Sequence, residues 1–324
     1  MKMRDVLAGA GLACALAFST AALAETYPDR VIKIVAPFPA GGVVDVLARA
    51  LGRELGNSLG QPVVIENRPG AGGNIGAESV AKSAPDGYTL MMASPGILSI
   101  NQFLYKKMPF DPETAFEPIS LVADMPMLVV LGSKSEFQTL QAFIDAAKAK
   151  PDTINFGSAG YGTTGHLGME LLSYTAGIQL RHTPYKGAAP AVNDLLGGHI
   201  DGVVDNPPTV MSHIHSGALR ALAVAGDTRL PALPNVPTSA EAGLPAWRVS
   251  SWFGLVAPAK TPPAIVKQLY EEVRKAIAQP AMIKLSTDMG LVLVGGTPAQ
   301  FDALAKEERM KWRDIVATAK ISLD

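Results

Sequence analysis

Short apolar runs alternate with helical patterns along this chain, and that rhythm limits the fold more than any other feature. Residues 31–36, 63–66 and 88–93 are apolar runs of strand length, and between them 43–55 and 75–82 repeat apolar residues at helical spacing. Strands alternating with helices specify a mostly parallel sheet covered on both faces. The rhythm returns at 154–157, 165–174, 189–196, 200–205 and 219–224, so the chain reads as an α/β protein of two doubly wound lobes. Two extended apolar stretches, 118–131 and 250–257, read as paired crossovers, and three closing helices are expected at 263–278, 281–289 and 298–318. The expected division is a first lobe of 25–126 and 253–324 around a second lobe of 127–252.

The N-terminus carries its own signal. Lys2 and Arg4 precede an apolar run over 6–23 that ends in Ala22-Leu23-Ala24, the arrangement of a signal peptide over 1–24 cleaved after Ala24. The expected destination is the periplasm. No later segment reaches about 18 uninterrupted apolar residues, so no further membrane span is expected. Gly11-Leu12-Ala13-Cys14 approximates a lipoprotein box, with Gly11 where a leucine is wanted. Cleavage would remove Lys2, Arg4 and Asp5 from 28 basic and 29 acidic side chains, leaving 26 and 28. Such balance argues against nucleic acid or anionic lipid as partner. Cys14, the one cysteine, would leave with the leader, and with it any thiol, disulfide or Cys-ligated metal. About 300 remaining residues and a 48% hydrophobic composition supply a core for two domains.

Glycines and hydroxyl residues concentrate where strands end and helices begin, the place where open α/β sheets bind ligands. In Pro37-Phe38-Pro39-Ala40-Gly41-Gly42-Val43-Val44-Asp45 a strand runs out, two glycines permit a tight turn, and a helix starts with free N–H groups. The second lobe offers Gly157-Ser158-Ala159-Gly160-Tyr161-Gly162-Thr163-Thr164-Gly165-His166, again strand, turn and helix start. Two facing helix N-termini can clamp a carboxylate or a dicarboxylate without any arginine. Each loop taken alone reads equally well as a capped βα connection.

The chain resembles the Bug-type periplasmic receptors of tripartite tricarboxylate transporters. The resemblance runs through Tyr27-Pro28-Asp29-Arg30, Pro37 to Gly42, Glu66-Asn67-Arg68-Pro69-Gly70-Ala71-Gly72-Gly73-Asn74-Ile75-Gly76, Ala84-Pro85-Asp86-Gly87-Tyr88-Thr89-Leu90, Pro184-Tyr185-Lys186-Gly187 and Pro234-Asn235-Val236-Pro237-Thr238. It implies a two-lobed receptor of the type II periplasmic-binding class, a Venus flytrap that closes on a small carboxylate, whether a di- or tricarboxylate, an acidic amino acid or an aromatic acid, and docks on TctA-like and TctB-like integral-membrane subunits. No cofactor and no metal are expected, and the protein is expected to be a monomer. Carried onto this chain, it points to Phe38, Ala40, Gly41 and Gly42 in the first lobe and to Ser158, Gly160, Thr163 and Thr164 in the second, with Ser94 and Asp205 as further candidates. Val44 stands where the family often carries a hydroxyl, and Ser94-Pro95-Gly96-Ile97 is poorer in hydroxyls than its counterparts, so the pocket is expected to be more apolar and its ligand a monocarboxylate or a partly apolar dicarboxylate. Asp205 reads either as a partner for a ligand amine or hydroxyl or as a cap on the helix after Pro207. Asp45 reads as a ligand contact or as a first-turn acid that complements the helix dipole.

Rival readings are a periplasmic sensor and a hydrolase. Ile75 occupies the third glycine's place in the loop at 70–76, so no dinucleotide fingerprint forms, and no Gly-Lys dipeptide exists for a P-loop. Ser158 lacks the first glycine of a nucleophile elbow. His213 and His215 sit two apart, on different faces of a helix, without a zinc motif. His166, at a helix start, reads as a structural hydrogen-bond partner or a ligand contact. Trp247, Trp252 and Trp312 read as packing anchors, Trp252 near the second crossover.

Overall fold

The computed structural model describes residues 27–319, so the expected leader, its cleavage after Ala24 and Cys14 lie outside the described residues. The chain begins with β1 (Ile32–Ala36), α1 (Val43–Leu59), β2 (Val63–Asn67), a single 3-10 turn (Ala71–Gly73), α2 (Asn74–Ala81) and β3 (Thr89–Ala93). A π turn (Gly96–Ile100) and the short α3 (Asn101–Leu104) lead to β4 (Phe116–Asp124). Then come β5 (Leu128–Gly132), α4 (Leu140–Ala149), β6 (Asn155–Ser158), α5 (Thr164–Ala176), β7 (Arg181–Pro184), α6 (Ala188–Gly197), β8 (Gly202–Asp205), α7 (Pro207–His215) and β9 (Leu219–Val224). The chain closes with β10 (Phe253–Pro258), α8 (Pro263–Ile277), α9 (Pro280–Met289), β11 (Val292–Gly296) and α10 (Pro298–Ala319).

Two sheets result, ordered β11-β4-β10-β3-β1-β2 and β7-β6-β8-β5-β9. Helices flank both, as two α/β lobes require, but the sheets are mixed rather than mostly parallel. The parallel part of each comes from consecutive βαβ units: β1 pairs with β2 and β3, and β6 pairs with β7 and β8. The strands that arrive from the other lobe insert the opposite way. β5 runs antiparallel to β8 and β9, and β10 runs antiparallel to β3 and β4. Apolar runs report that a strand is buried on both faces, not its direction, which is why the sequence pattern leaves this open.

β1 shows the burial behind that pattern. Ile34 and Ala36 pack on one face with α1 and α8, Val35 packs on the other, and Lys33 reaches out to an ion pair with Glu66. α1 buries Val44, Leu47, Ala48, Leu51 and Leu55, a single stripe at helical spacing. Between the sheets the chain crosses at 125–127 and returns at 249–252. The crossings are zipped together: the Met127 N–H donates to the Val249 carbonyl at 3.1 Å and the Ser251 N–H to that of Met125 at 2.9 Å. α10 does not stay with the first sheet, where its sequence position put it. Phe301 packs beside Trp252, but Trp312, Ile315 and Val316 join the apolar cluster of the second lobe with Leu167 and Leu171 of α5. Trp247, Trp252 and Trp312 are all fully buried.

Candidate functional site

At the end of β1 the chain turns through Gly41, whose φ of 83° lies in the left-handed region that glycine enters without strain. Gly42 then caps α1 with no side-chain hydrogen bond. The N–H of Val46 takes the Gly42 carbonyl, and the first-turn N–H groups of Val43 and Val44 remain open. Asp45 braces this turn from behind. Its carboxylate accepts from the Gly41 N–H at 2.9 Å, from Arg49 at 2.8 Å and from Asn67 Nδ2 at 2.9 Å, while the same Asn67 amide donates to the Phe38 carbonyl at 3.2 Å. The hydrogen bond from Arg49, with those from Gly41 and Asn67, outweighs burial and holds its carboxyl down at about 2.

The second turn is built the same way and braced by histidines. Thr163 caps α5, its Oγ1 accepting from the His166 N–H at 3.4 Å and donating to the Gly160 carbonyl at 2.7 Å. His166 Nδ1 accepts from the Gly162 N–H at 3.1 Å. The His166 ring stacks on His182 with centroids 4.0 Å apart and planes 13° apart, and Tyr161 meets both edge-on. Ser158 Oγ lies 2.7 Å from His182 Nε2. Burial, and His166 beside it, push His182 down to about 4, so the ring that meets Ser158 is a neutral support at neutral pH. α5 starts against the end of β8: a side chain at Gly165 would stand 2.6 Å from the Val204 carbonyl oxygen.

The two turns face one cavity of about 500 Å³ between the sheets, within the usual range for small-ligand sites. Of the residues singled out from sequence, Phe38, Gly42 and Ser94 line it from one side and Thr163, Thr164 and Asp205 from the other. Ala40 and Gly41 sit on the exposed rim. Asp45, Ser158, Gly160 and His166 do not line the cavity; their polar groups are engaged in holding the turns. Ser94 Oγ and Thr164 Oγ1 have no hydrogen-bond partner among the described residues. None of the described lining residues is Lys, Arg or His, and Asp205 is the single acid. It is buried, accepts from the Asn206 N–H at 2.7 Å, and burial pushes its carboxyl up to about 6 against the pull of Asn206 and the Thr209 hydroxyl. It does not cap α7, whose cap is Asn206.

Sequence reasoning passed over several lining residues. Ser251 and Phe253 come from the second crossover, and Ser251 Oγ donates to Asn206 Oδ1 at 3.1 Å, tying the crossing to the wall beside Asp205. Tyr161 stands exposed at the mouth, and His182 supports the second turn from the neighbouring strand. The crossover's position near both strand ends was the available signal for Ser251; none existed for His182. Among the described residues no group of three or more His, Cys, Asp or Glu is placed to hold a metal ion.

Comparison with known proteins follows the same lines. The model of the tripartite tricarboxylate transporter family receptor, TctC, matches residues 47–321. BugT of Bordetella pertussis is 40% identical over 318 residues, covering 98% of each chain. The R. palustris protein Rpa4515 with adipate superposes with a TM-score of 0.77 at 34% identity, over 92% of this chain and 100% of that one. MatC from Rhodopseudomonas palustris with bound malate gives 0.73 at 33% identity, over 90% and 100%.

Proposed function

The chain belongs to the tripartite tricarboxylate transporter family of receptors and is a binding protein rather than an enzyme, and from that premise we propose that it captures a small carboxylate in the cavity between its two lobes. The open N–H groups of Val43 and Val44 and the Ser94 hydroxyl hold the acid group on the first lobe, and the α5 turn with Thr164 closes over the rest of the ligand from the second. The observation that carries this reading is the pair of strand-to-helix turns from separate sheets, facing one cavity with unspent donors on both sides. Fixed N–H dipoles at a helix start favour an anion without the reorganisation a flexible lysine would need. The neighbouring structures with adipate and malate support the same ligand class.

Closure pivots where the chain crosses at 125–127 and 249–252, and the lobes are 25–126 with 253–324 and 127–252, with the end of α10 laid across both. The receptor acts in the periplasm as a monomer after loss of residues 1–24, and its closed form is the surface that TctA-like and TctB-like membrane subunits read. Ligand works by shifting a hinge equilibrium, without chemistry. Thermal-shift titration of the chain from Glu25 with aliphatic di- and tricarboxylates, acidic amino acids and aromatic acids tests it. Ligand at a hundredfold over its dissociation constant should add about 2.7 kcal/mol of stability. Silence across all these classes, or turnover of any of them, would contradict the proposal.

A further inference from the structure

The cavity proposed to receive an acid has an acid of its own in the wall. Asp205 is the single charged side chain among the described lining residues, and it is buried at the end of β8. The groups around it do not neutralise it. One oxygen accepts the Asn206 N–H; the Thr209 hydroxyl alongside has one proton and also bonds the Asn206 carbonyl at 2.7 Å, and the Ser251 hydroxyl is turned to Asn206 Oδ1. A carboxylate has about four acceptor sites, so most of this one's capacity is unmet in a place where water is scarce.

The close approach of α5 to β8 sets which end of a ligand lies here. With Gly165 against the Val204 carbonyl, the second-lobe donors and Asp205 share one wall, and an anion seated on that wall would meet the buried carboxylate. The first-lobe wall, with Val43 and Val44 N–H groups and Ser94, has no acid. Leu104, Met125 and Phe253 also line the cavity and give it an apolar surface away from these polar groups. We propose that the ligand carries one carboxylate, held by the first lobe, an apolar body, and at its far end a hydrogen-bond donor, ammonium or hydroxyl, that Asp205 receives. A second carboxylate is the group this wall rejects. The inference rests on the carboxylate-receptor reading and narrows it.

Calorimetry on the native chain and on Asp205→Asn tests it with matched acids: adipate against ε-aminohexanoate and ε-hydroxyhexanoate, and terephthalate against para-aminomethylbenzoate and para-hydroxybenzoate. The native protein should bind a donor-bearing acid at least tenfold more tightly than its dicarboxylate counterpart, and Asp205→Asn should shrink or reverse that ratio. The native ratio decides alone if the variant does not fold. Dicarboxylates binding as well or better, with a ratio unmoved by Asp205→Asn, overturn the inference and leave the receptor reading standing. Failure of every carboxylate to bind overturns both.

Discussion

At the scale of single residues, two aspartates of one fold are shifted in opposite directions. Asp45 is ionised and triply bonded, its pKa held near 2 against an ordinary value of 3.8, so it stabilises the fold fully above that ordinary range and loses this as pH falls towards 2. Asp45→Asn should cost about 2 kcal/mol at pH 7, by thermal denaturation, with the deficit vanishing in acid. Asp205 has the reverse sign. Its carboxyl is raised to about 6, so its contribution is complete below the ordinary value and is lost as pH rises through 6. Asp205→Asn should therefore raise the stability of the unliganded protein above pH 6, by roughly 2 kcal/mol, and make no difference below about pH 4. A variant no more stable than the native chain at pH 7.5 would contradict the burial argument. Stability given up at a binding wall is common where a site needs a charge. At this scale the sequence was only partly legible. Gly42, Thr164 and Asp205 could be picked out from their places at element ends, but nothing in a string of letters shows that Thr163 spends its hydroxyl on Gly160 or that Ser158 turns to His182.

At the scale of elements, the site is two helix starts aimed by two strand ends. β1 delivers the chain to Gly41 and α1, β6 delivers it to the loop before α5, and β8 fixes how deeply α5 begins. Gly165→Ala would drive a methyl into backbone, which a rotamer change cannot relieve. It should cost about 1–3 kcal/mol, push α5 away from β8 and weaken ligand binding, all measurable on one purified variant. The turns were legible because glycine pairs and hydroxyls at strand ends have a defined use. Strand direction was not, because an apolar run has the same composition read either way, and so the antiparallel entry of β5 and β10 came only from the structure.

For the whole molecule, two zipped crossings and one long helix connect the lobes. α10 anchors Phe301 on the first sheet and Trp312 in the second lobe's core, while Arg309 Nη1 donates to the Leu98 carbonyl at 3.1 Å and Lys311 Nζ to the Arg248 carbonyl at 3.2 Å, so the bridge is tied to both lobes by hydrogen bonds as well as by packing. The closure proposed above is then a rotation about the crossings with α10 as the strut. A helical pattern tells which face is apolar but not which lobe covers it, so this bridge was invisible in the sequence. What the fold achieves is to bring open N–H groups against a cavity, and one substitution isolates them. Val43 is the first residue of α1, where proline is tolerated, and Gly42 before it is already extended at φ −76° and ψ 168°, the conformation a following proline demands. Val43→Pro thus removes one N–H and little else, and Val43→Ala sets the effect of the lost side chain. Carboxylate affinity of the two variants by calorimetry should differ by about tenfold or more in favour of alanine, with both folded, since a hydrogen bond to a charged group contributes about 1.5–3 kcal/mol. Equal affinity would mean that the start of α1 does not hold the anion, and would contradict the account at its centre.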